Sequence, residues 1–231
     1  MSRMQKWSGS VGCFGQIENI KRQSLINTNS QLAMRTIFER GYFHTNRVKE
    51  SHFSTVQNRS ELLLENQIHS NKTKVFLSHK HSDLDELKDL IGFLETKYNV
   101  DVYIDSMDNA MPSTTSGATA TRIKKVIQKC DKFILLATND AVESKWCNWE
   151  LGFGDAQKFR DDIAILPIKE KGQIDNQYKG KEYMSIYPQI IYYDGSERYK
   201  SGAPVTPGFY YGYKDDNGVI IITPLSDWFK K

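Results

Sequence analysis

Trp146 and Glu150 stand four residues apart in the segment Ser144-Lys145-Trp146-Cys147-Asn148-Trp149-Glu150-Leu151-Gly152. On a helix that spacing puts an indole and a carboxylate on one face, one turn apart. The pair suits a nucleotide. The ring can cover a base or a nicotinamide while the carboxylate accepts hydrogen bonds from ribose hydroxyls. A plainer reading has Trp149 and Leu151 packing inward and Glu150 lying on a solvated helix face. Further candidates sit in two loops: His79, Lys80, His81 and Asp83 after one apolar run, Asp105 and Asp108 after another. His79 and His81 lack the additional His or Cys that a metal site needs, so no metal is expected and solvated loop histidines are the simpler reading. Asp83 is expected to cap the helix that follows it. Asp105 is either a strand-end turn residue or an acceptor for a sugar hydroxyl.

These residues gain meaning from the elements that carry them. Val75-Phe76-Leu77 is a short apolar run that leads into a polar loop, and Leu84, Leu87, Leu90, Ile91 and Leu94 then recur at helical spacing. A second strand is expected over 100–104, a Ser-, Thr-, Asn- and Pro-containing loop over 106–116, and a helix along Ala118, Arg122, Ile123, Val126 and Ile127. Strand Phe133–Thr138, a helix from about Ser144 to Phe159, strand Ile163–Ile168, a short helix to about Tyr187 and strand Gln189–Tyr193 complete the alternation. Alternation at these lengths requires crossover connections, hence an α/β fold: a flavodoxin-like five-stranded parallel sheet with helices on both faces and ligands at the carboxyl ends of the strands. In such a fold the candidate loops converge on one cleft.

On either side of this unit the pattern changes. Residues 1–71 read as an N-terminal, partly helical extension, with one helix over Gln31–Arg40 and a second starting at Ser60; residues 194–231 read as a C-terminal extension whose 208–213 and 219–223 segments form a β-hairpin on the turn Asp215-Asp216-Asn217-Gly218. The domain itself is expected over 72–193. Gly152-Phe153-Gly154 is no dinucleotide fingerprint, because it falls within a helix and lacks the third glycine. No phosphate-binding Walker loop, Gly-Xaa-Ser-Xaa-Gly elbow or Cys–His pair appears either.

Composition narrows the function class. With 39% hydrophobic and 26% charged residues among 231, the chain can bury a core without metals or disulfides. No apolar run approaches the roughly 20 residues of a membrane span. A net charge of +3 is too mild to make nucleic acid the expected partner. Cys13, Cys130 and Cys147 are scattered without paired or metal-ligand spacing, which fits a reducing, cytoplasmic setting. The polar, Gly-containing N-terminal stretch lacks a secretory apolar region, and Glu18, Glu39 and Glu50 interrupt a transit-peptide pattern.

The opening strand Val75-Phe76-Leu77-Ser78-His79, the run Val102-Tyr103-Ile104-Asp105 before a long loop, the strand Phe133–Thr138 and the Ser144–Gly152 segment together resemble the TIR (Toll/interleukin-1 receptor) domain family, especially its bacterial members. The resemblance covers residues 72–193. It implies the same flavodoxin-like fold and one of two functions: scaffolding by TIR–TIR association, or cleavage of the nicotinamide–ribose bond of NAD+ by a helix glutamate. Glu150 falls at that glutamate, and Trp146 completes the spacing written WxxxE. Ser78, His79, Asp105 and Asp108 would then line the substrate pocket beside Trp146. On this resemblance NAD+ is substrate and no cofactor is needed. The product is ADP-ribose or a cyclic ADP-ribose isomer. The implied partners are further copies of the chain and a downstream effector that senses the nucleotide product, as a component of antiphage defence. The main alternative is a non-catalytic adaptor or effector that works through TIR–TIR contacts. A phospho-accepting receiver of the same fold class is disfavoured, since its third strand should end in Asp and this one ends Ala137-Thr138-Asn139.

Overall fold

A computed structural model describes residues 23–24, 34–68, 70–105, 117–158 and 160–230. Three short strands come first, β1 (Gln23–Ser24), β2 (Met34–Arg35) and β3 (Phe38–Glu39), and then helix α1 (Glu50–Leu64). Strand β4 (Lys74–Ser78) leads through a 3₁₀ turn into α2 (Leu84–Tyr98), and β5 (Asp101–Tyr103) is followed by α3 (Gly117–Lys129). Strand β6 (Lys132–Ala137) runs into α4 (Asn139–Glu143) and α5 (Lys145–Gln157). Then come β7 (Ile163–Lys169), α6 (Lys181–Ile186), β8 (Gln189–Tyr193), β9 (Gly208–Lys214), β10 (Ile220–Pro224) and α7 (Leu225–Trp228).

The five strands β4 to β8 are mutually parallel and lie in the order β5-β4-β6-β7-β8, the flavodoxin-like arrangement. Chain direction across the sheet reverses between β4 and β6, and ligands bind above that switch point in open α/β sheets. Alternate side chains of each strand feed two layers. Val75, Leu77, Ile134, Leu136 and Leu166 face α2, whereas Phe76, Phe133, Leu135 and Ile165 face α3 and α5. Because both faces are covered, β6 is buried along its whole length, and even Lys132 at its amino end is enclosed, paired with Asp162 and lying 5.2 Å from the Trp228 ring.

Beyond the parallel strands the sheet continues antiparallel through β9, β10 and β1. The expected hairpin therefore exists, but it is stitched to β8 along five residue pairs, from Gln189 against Gly212 to Tyr193 against Gly208. Its turn closes on Gly218 at φ +75°, a conformation that favours glycine. Strands β7 and β8 pair only at Ile165 and Gln189, and the two short N-terminal strands fill the gap they leave: β2 against β8 and β3 against β7. Here the sequence-based expectation of a helix over Gln31–Arg40 fails; residues 31–33 lie outside the described residues, and 34–40 are strand and turn. Their apolar side chains Ile37 and Phe38 are buried by contacts far away in sequence.

The expected helix start at Ser60 is also corrected. Ser60 sits inside α1 and is buried, its hydroxyl donating to the Ile104 carbonyl at 2.6 Å. Arg59 donates to the Val102 carbonyl at 2.9 Å, and Glu95 of α2 accepts from the Val102 N–H at 3.1 Å. The free edge of β5 is thus occupied by side chains, which keeps it from pairing with another strand. Cys13 and the 106–116 loop lie outside the described residues. The helix α4, capped by the Thr138 side chain, had no counterpart in the sequence-based expectation.

Residues from both ends share the central core: Phe38, Phe53 and Val56 from the first part, Tyr211, Leu225 and Trp228 from the last. Trp228 is fully buried, stacked on Tyr211 with ring centroids 5.2 Å apart, and its indole donates to the Asp161 carbonyl. Trp228→Ala should therefore lower stability by about 3–5 kcal/mol in urea denaturation, as large-to-small changes at filled aromatic sites do. A loss below about 1 kcal/mol would mean that α7 does not close the core.

Candidate functional site

Ser144 starts the site helix. Its side chain accepts from the Cys147 N–H at 3.4 Å, which caps the first turn of α5. Two turns later Gly154 brings the helix close to β6: a Cβ there would meet the Phe133 ring at 2.9 Å. The cap and the close approach fix the rotation of α5, and Glu150 points inward between them.

Glu150 is 2% exposed. Its Oε2 accepts a hydrogen bond of 2.5 Å from the Ser78 hydroxyl at the carboxyl end of β4. The solvated-helix reading of this residue is overturned, while Leu151 does pack inward. Trp149 is only half-buried and forms an outer aromatic ladder, with Trp146 at 4.7 Å on one side and Phe153 at 6.2 Å on the other. Lys124 of α3 lies 5.6 Å from the Trp149 ring.

A cleft of about 70 Å³ opens beside the carboxylate, lined by Leu77, His79, Lys80, His81, Asp105, Ser144, Trp146, Cys147 and Glu150. It lies above the β4–β6 switch point and gathers residues from the ends of β4 and β5 and the start of α5. Of the sequence-based candidates, Glu150, Trp146, His79 and Asp105 meet there. Ser78 is buried beneath and spends its hydroxyl on Glu150; Asp108 lies outside the described residues. A space this small, against roughly 300–1,000 Å³ for ligand pockets, takes in a reacting group and not a dinucleotide, so any larger substrate must widen it or extend along its rim. Lys80 and the exposed His81 stand on that rim. A larger hollow of about 690 Å³ lies between α6 and the β8–β9–β10 sheet, but among the described residues no carboxylate lines it.

Lys80 and His81, named among the candidates of the loop after β4, line the cleft as well; Cys147 and Ser144 line it without having been singled out for it. Cys147 stands three residues before Glu150, a spacing that puts both on one flank of the helix and was readable in advance. Its thiol donates to the His79 carbonyl at 3.2 Å, tying α5 to the loop after β4. The His79 ring is buried, with Nδ1 3.3 Å from the Leu77 carbonyl.

Asp83 corrects another expectation. It occupies the N-cap position of α2 but makes no capping hydrogen bond with its side chain. Its carboxylate is fully buried; Oδ1 receives Arg40 Nη2 at 2.6 Å and Oδ2 receives the Thr138 hydroxyl at 2.6 Å. Both carboxylate oxygens are thereby committed to holding the fold.

The sequence model of the TIR domain family matches residues 75–200. The chain is also 30% identical over 147 residues to a probable 3′ cyclic ADP-D-ribose synthase, ThsB′, of Bacillus cereus (strain MSX-D12), an alignment that covers 62% of this chain and 74% of that protein. Among the described residues no helix is long and apolar enough to cross a membrane.

Burial pushes the Cys147 thiol up to about 11; the negative charge of Glu150 acts in the same direction and the Ser144 hydrogen bond opposes it. Only the thiolate reacts, so alkylation of Cys147 at pH 8 should be about 100-fold or more slower in the folded chain than in urea, and should rise with pH toward 11. Peptide mapping after a timed iodoacetamide pulse reads this. Rapid native labelling at pH 8 would contradict the enclosed site wall.

Proposed function

The chain belongs to the TIR domain family, and from that premise we propose that it is an enzyme that cleaves the nicotinamide–ribose bond of NAD+, with Glu150 as the catalytic carboxylate. The observation that carries this reading is a buried carboxylate, hydrogen-bonded to Ser78, at the floor of a cleft above the switch point of the sheet. Removing a carboxylate from water is costly, and this one, unlike the arginine-paired Asp83 and Asp89, stands where a cleft opens, which favours a functional role.

The leaving nicotinamide is already cationic. When its bond to the sugar breaks, the electron pair goes to the ring nitrogen and neutralises it, so no acid need protonate the leaving group. Positive charge then develops on the ribose, as in oxocarbenium-like glycosyl transfer. Glu150 stabilises that charge and accepts hydrogen bonds from the ribose hydroxyls, an interaction that strengthens toward the transition state. Trp146 holds the nicotinamide against the cleft wall, and His79 and Asp105 contact the sugar. Lys80 and His81 are placed to meet the pyrophosphate along the rim.

The nucleophile that captures the sugar loses its proton to Glu150 or to solvent. Water would give ADP-ribose; a hydroxyl of the second ribose would give a cyclic isomer. The relative named as a 3′ cyclic ADP-D-ribose synthase favours the cyclic product. A cyclic nucleotide is suited to act as a messenger, so the proposed setting is antiphage defence, with a downstream effector as its receiver and self-association of TIR domains as the activating step.

Incubation of the purified chain at high concentration with NAD+ should release nicotinamide, together with a nucleotide lighter than ADP-ribose by one water. Glu150→Gln keeps the shape and should cut the rate by at least about 100-fold with the fold intact. An active Glu150→Gln variant would overturn the assignment.

A further inference from the structure

Arg40 lies outside the residues that match the TIR domain family, yet its guanidinium reaches the loops that build the cleft. We propose that Arg40 and Asp83 are positioning residues of the reaction centre, the guanidinium neutralising a buried carboxylate that ties the loop after β4 to the loop after β6. The inference rests on the reading of Glu150 as the catalytic group.

Asp83 makes this link through two oxygens. One takes Arg40 at 2.6 Å, and the other takes the Thr138 hydroxyl at 2.6 Å. On the β4 side, the Asp83 N–H donates to the Lys80 carbonyl at 2.8 Å, closing the turn that presents His79, Lys80 and His81 to the cleft. On the β6 side, Thr138 accepts from the Ala141 N–H at 3.0 Å and so caps α4, and the residue after α4 is Ser144, the cap of α5. A displacement of Thr138 is thus passed to the helix that carries Glu150.

The remaining contacts of Arg40 fix where it stands. Nη1 pairs with Glu86 at 2.6 Å, Nε pairs with Glu170 at 2.7 Å, and its own N–H donates to the Lys169 carbonyl at 2.9 Å. Of its three carboxylate partners, Asp83 is fully buried, Glu86 mostly buried and Glu170 only half-buried. Removal of the guanidinium therefore strands the charge of Asp83 more than the others. A buried carboxylate without its cation takes up a proton or turns toward water, and either change releases Thr138. Arginine suits this position because its planar fork sends three nitrogens in fixed directions to three separate carboxylates, whereas the three donors of a lysine radiate from a single nitrogen.

Three variants decide the matter: Arg40→Gln, Asp83→Asn and the two together. In the double variant the unpaired charge disappears, and an amide at position 83 can still accept from Thr138 while donating to the new glutamine. Arg40→Gln should lower kcat for nicotinamide release by about 10- to 100-fold with KM changed less than about threefold, the pattern of a misplaced catalytic group. Its amides at Asp83 and Ala141 should exchange hydrogen faster than in the unaltered chain. The double variant should recover most of both losses. Should Arg40→Gln melt below the usual assay temperature, nicotinamide release and hydrogen exchange of all the variants are compared at a temperature at which Arg40→Gln is still folded. Unchanged kcat and exchange in Arg40→Gln would overturn the proposal, as would a double variant no better than the single one. If the unaltered chain leaves NAD+ intact, the enzymatic reading fails on its own, and the exchange measurements alone decide whether Arg40 anchors the two loops.

Discussion

The hydrogen bond from Ser78 to Glu150 is the interaction around which the ligand end of the molecule is arranged. A carboxylate at 2% exposure needs donors, and a hydroxyl at 2.5 Å is among the stronger ones available to it. The donor sits at the end of β4 and the acceptor on α5, 72 residues later, so strand and helix must keep their relative height and rotation. Gly154 permits the approach of the helix to Phe133, Ser144 sets where the helix begins, and the Cys147 thiol ties it to the His79 carbonyl. Each of these would be a minor packing detail in isolation. Together they aim one acidic side chain at one cleft.

The second organising feature is the use made of the N-terminal part. Strands β2 and β3 occupy the place where β7 and β8 diverge, and α1 covers the outer edge of β5 with Arg59 and Ser60. The chain between them is clamped to α2 by Arg40 on Asp83 and Glu86 and by Arg47 on Asp89 at 2.5 Å, and it presses so closely that a Cβ on Gly92 would fall 1.7 Å from the Asn46 carbonyl. Two buried aspartates thus receive their cations from outside the region that matches the family. The cleft is braced from both sides, at Asp83 and at Ile104, the residue before Asp105.

Strands and helices of the parallel core were readable because each carries its own signal. Val75–Leu77, Phe133–Ala137 and Ile163–Ile168 are apolar on both faces, as buried parallel strands must be, and Leu87, Leu90, Ile91 and Leu94 mark one side of α2. Spacing alone put Trp146 and Glu150 on one helix face but left a solvated carboxylate as the plainer reading; the resemblance to the TIR family is what pointed to a pocket. What escaped depends on partners distant in sequence. Residues 34–40 have no strand pattern until β7 and β8 offer them edges, and Asp83 looks like a cap until Arg40, 43 residues earlier, and Thr138, 55 residues later, claim its oxygens. The helix α1 is a different case: Phe53, Val56 and Leu63 recur at helical spacing, but the buried Ser60 interrupts the stripe and disguised the middle of a helix as its beginning.

The central claim is that the side chain of Glu150 faces the anomeric carbon of a bound nicotinamide riboside unit. A crystal structure of the Glu150→Gln variant with NAD+ bound tests it most directly. The account predicts the nicotinamide ribose above the β4–β6 switch point, with its anomeric carbon about 3–4 Å from the side chain of residue 150 and the nicotinamide against Trp146. A dinucleotide bound elsewhere, such as in the hollow between α6 and the hairpin, with the Ser78 side of the cleft closed, would contradict it.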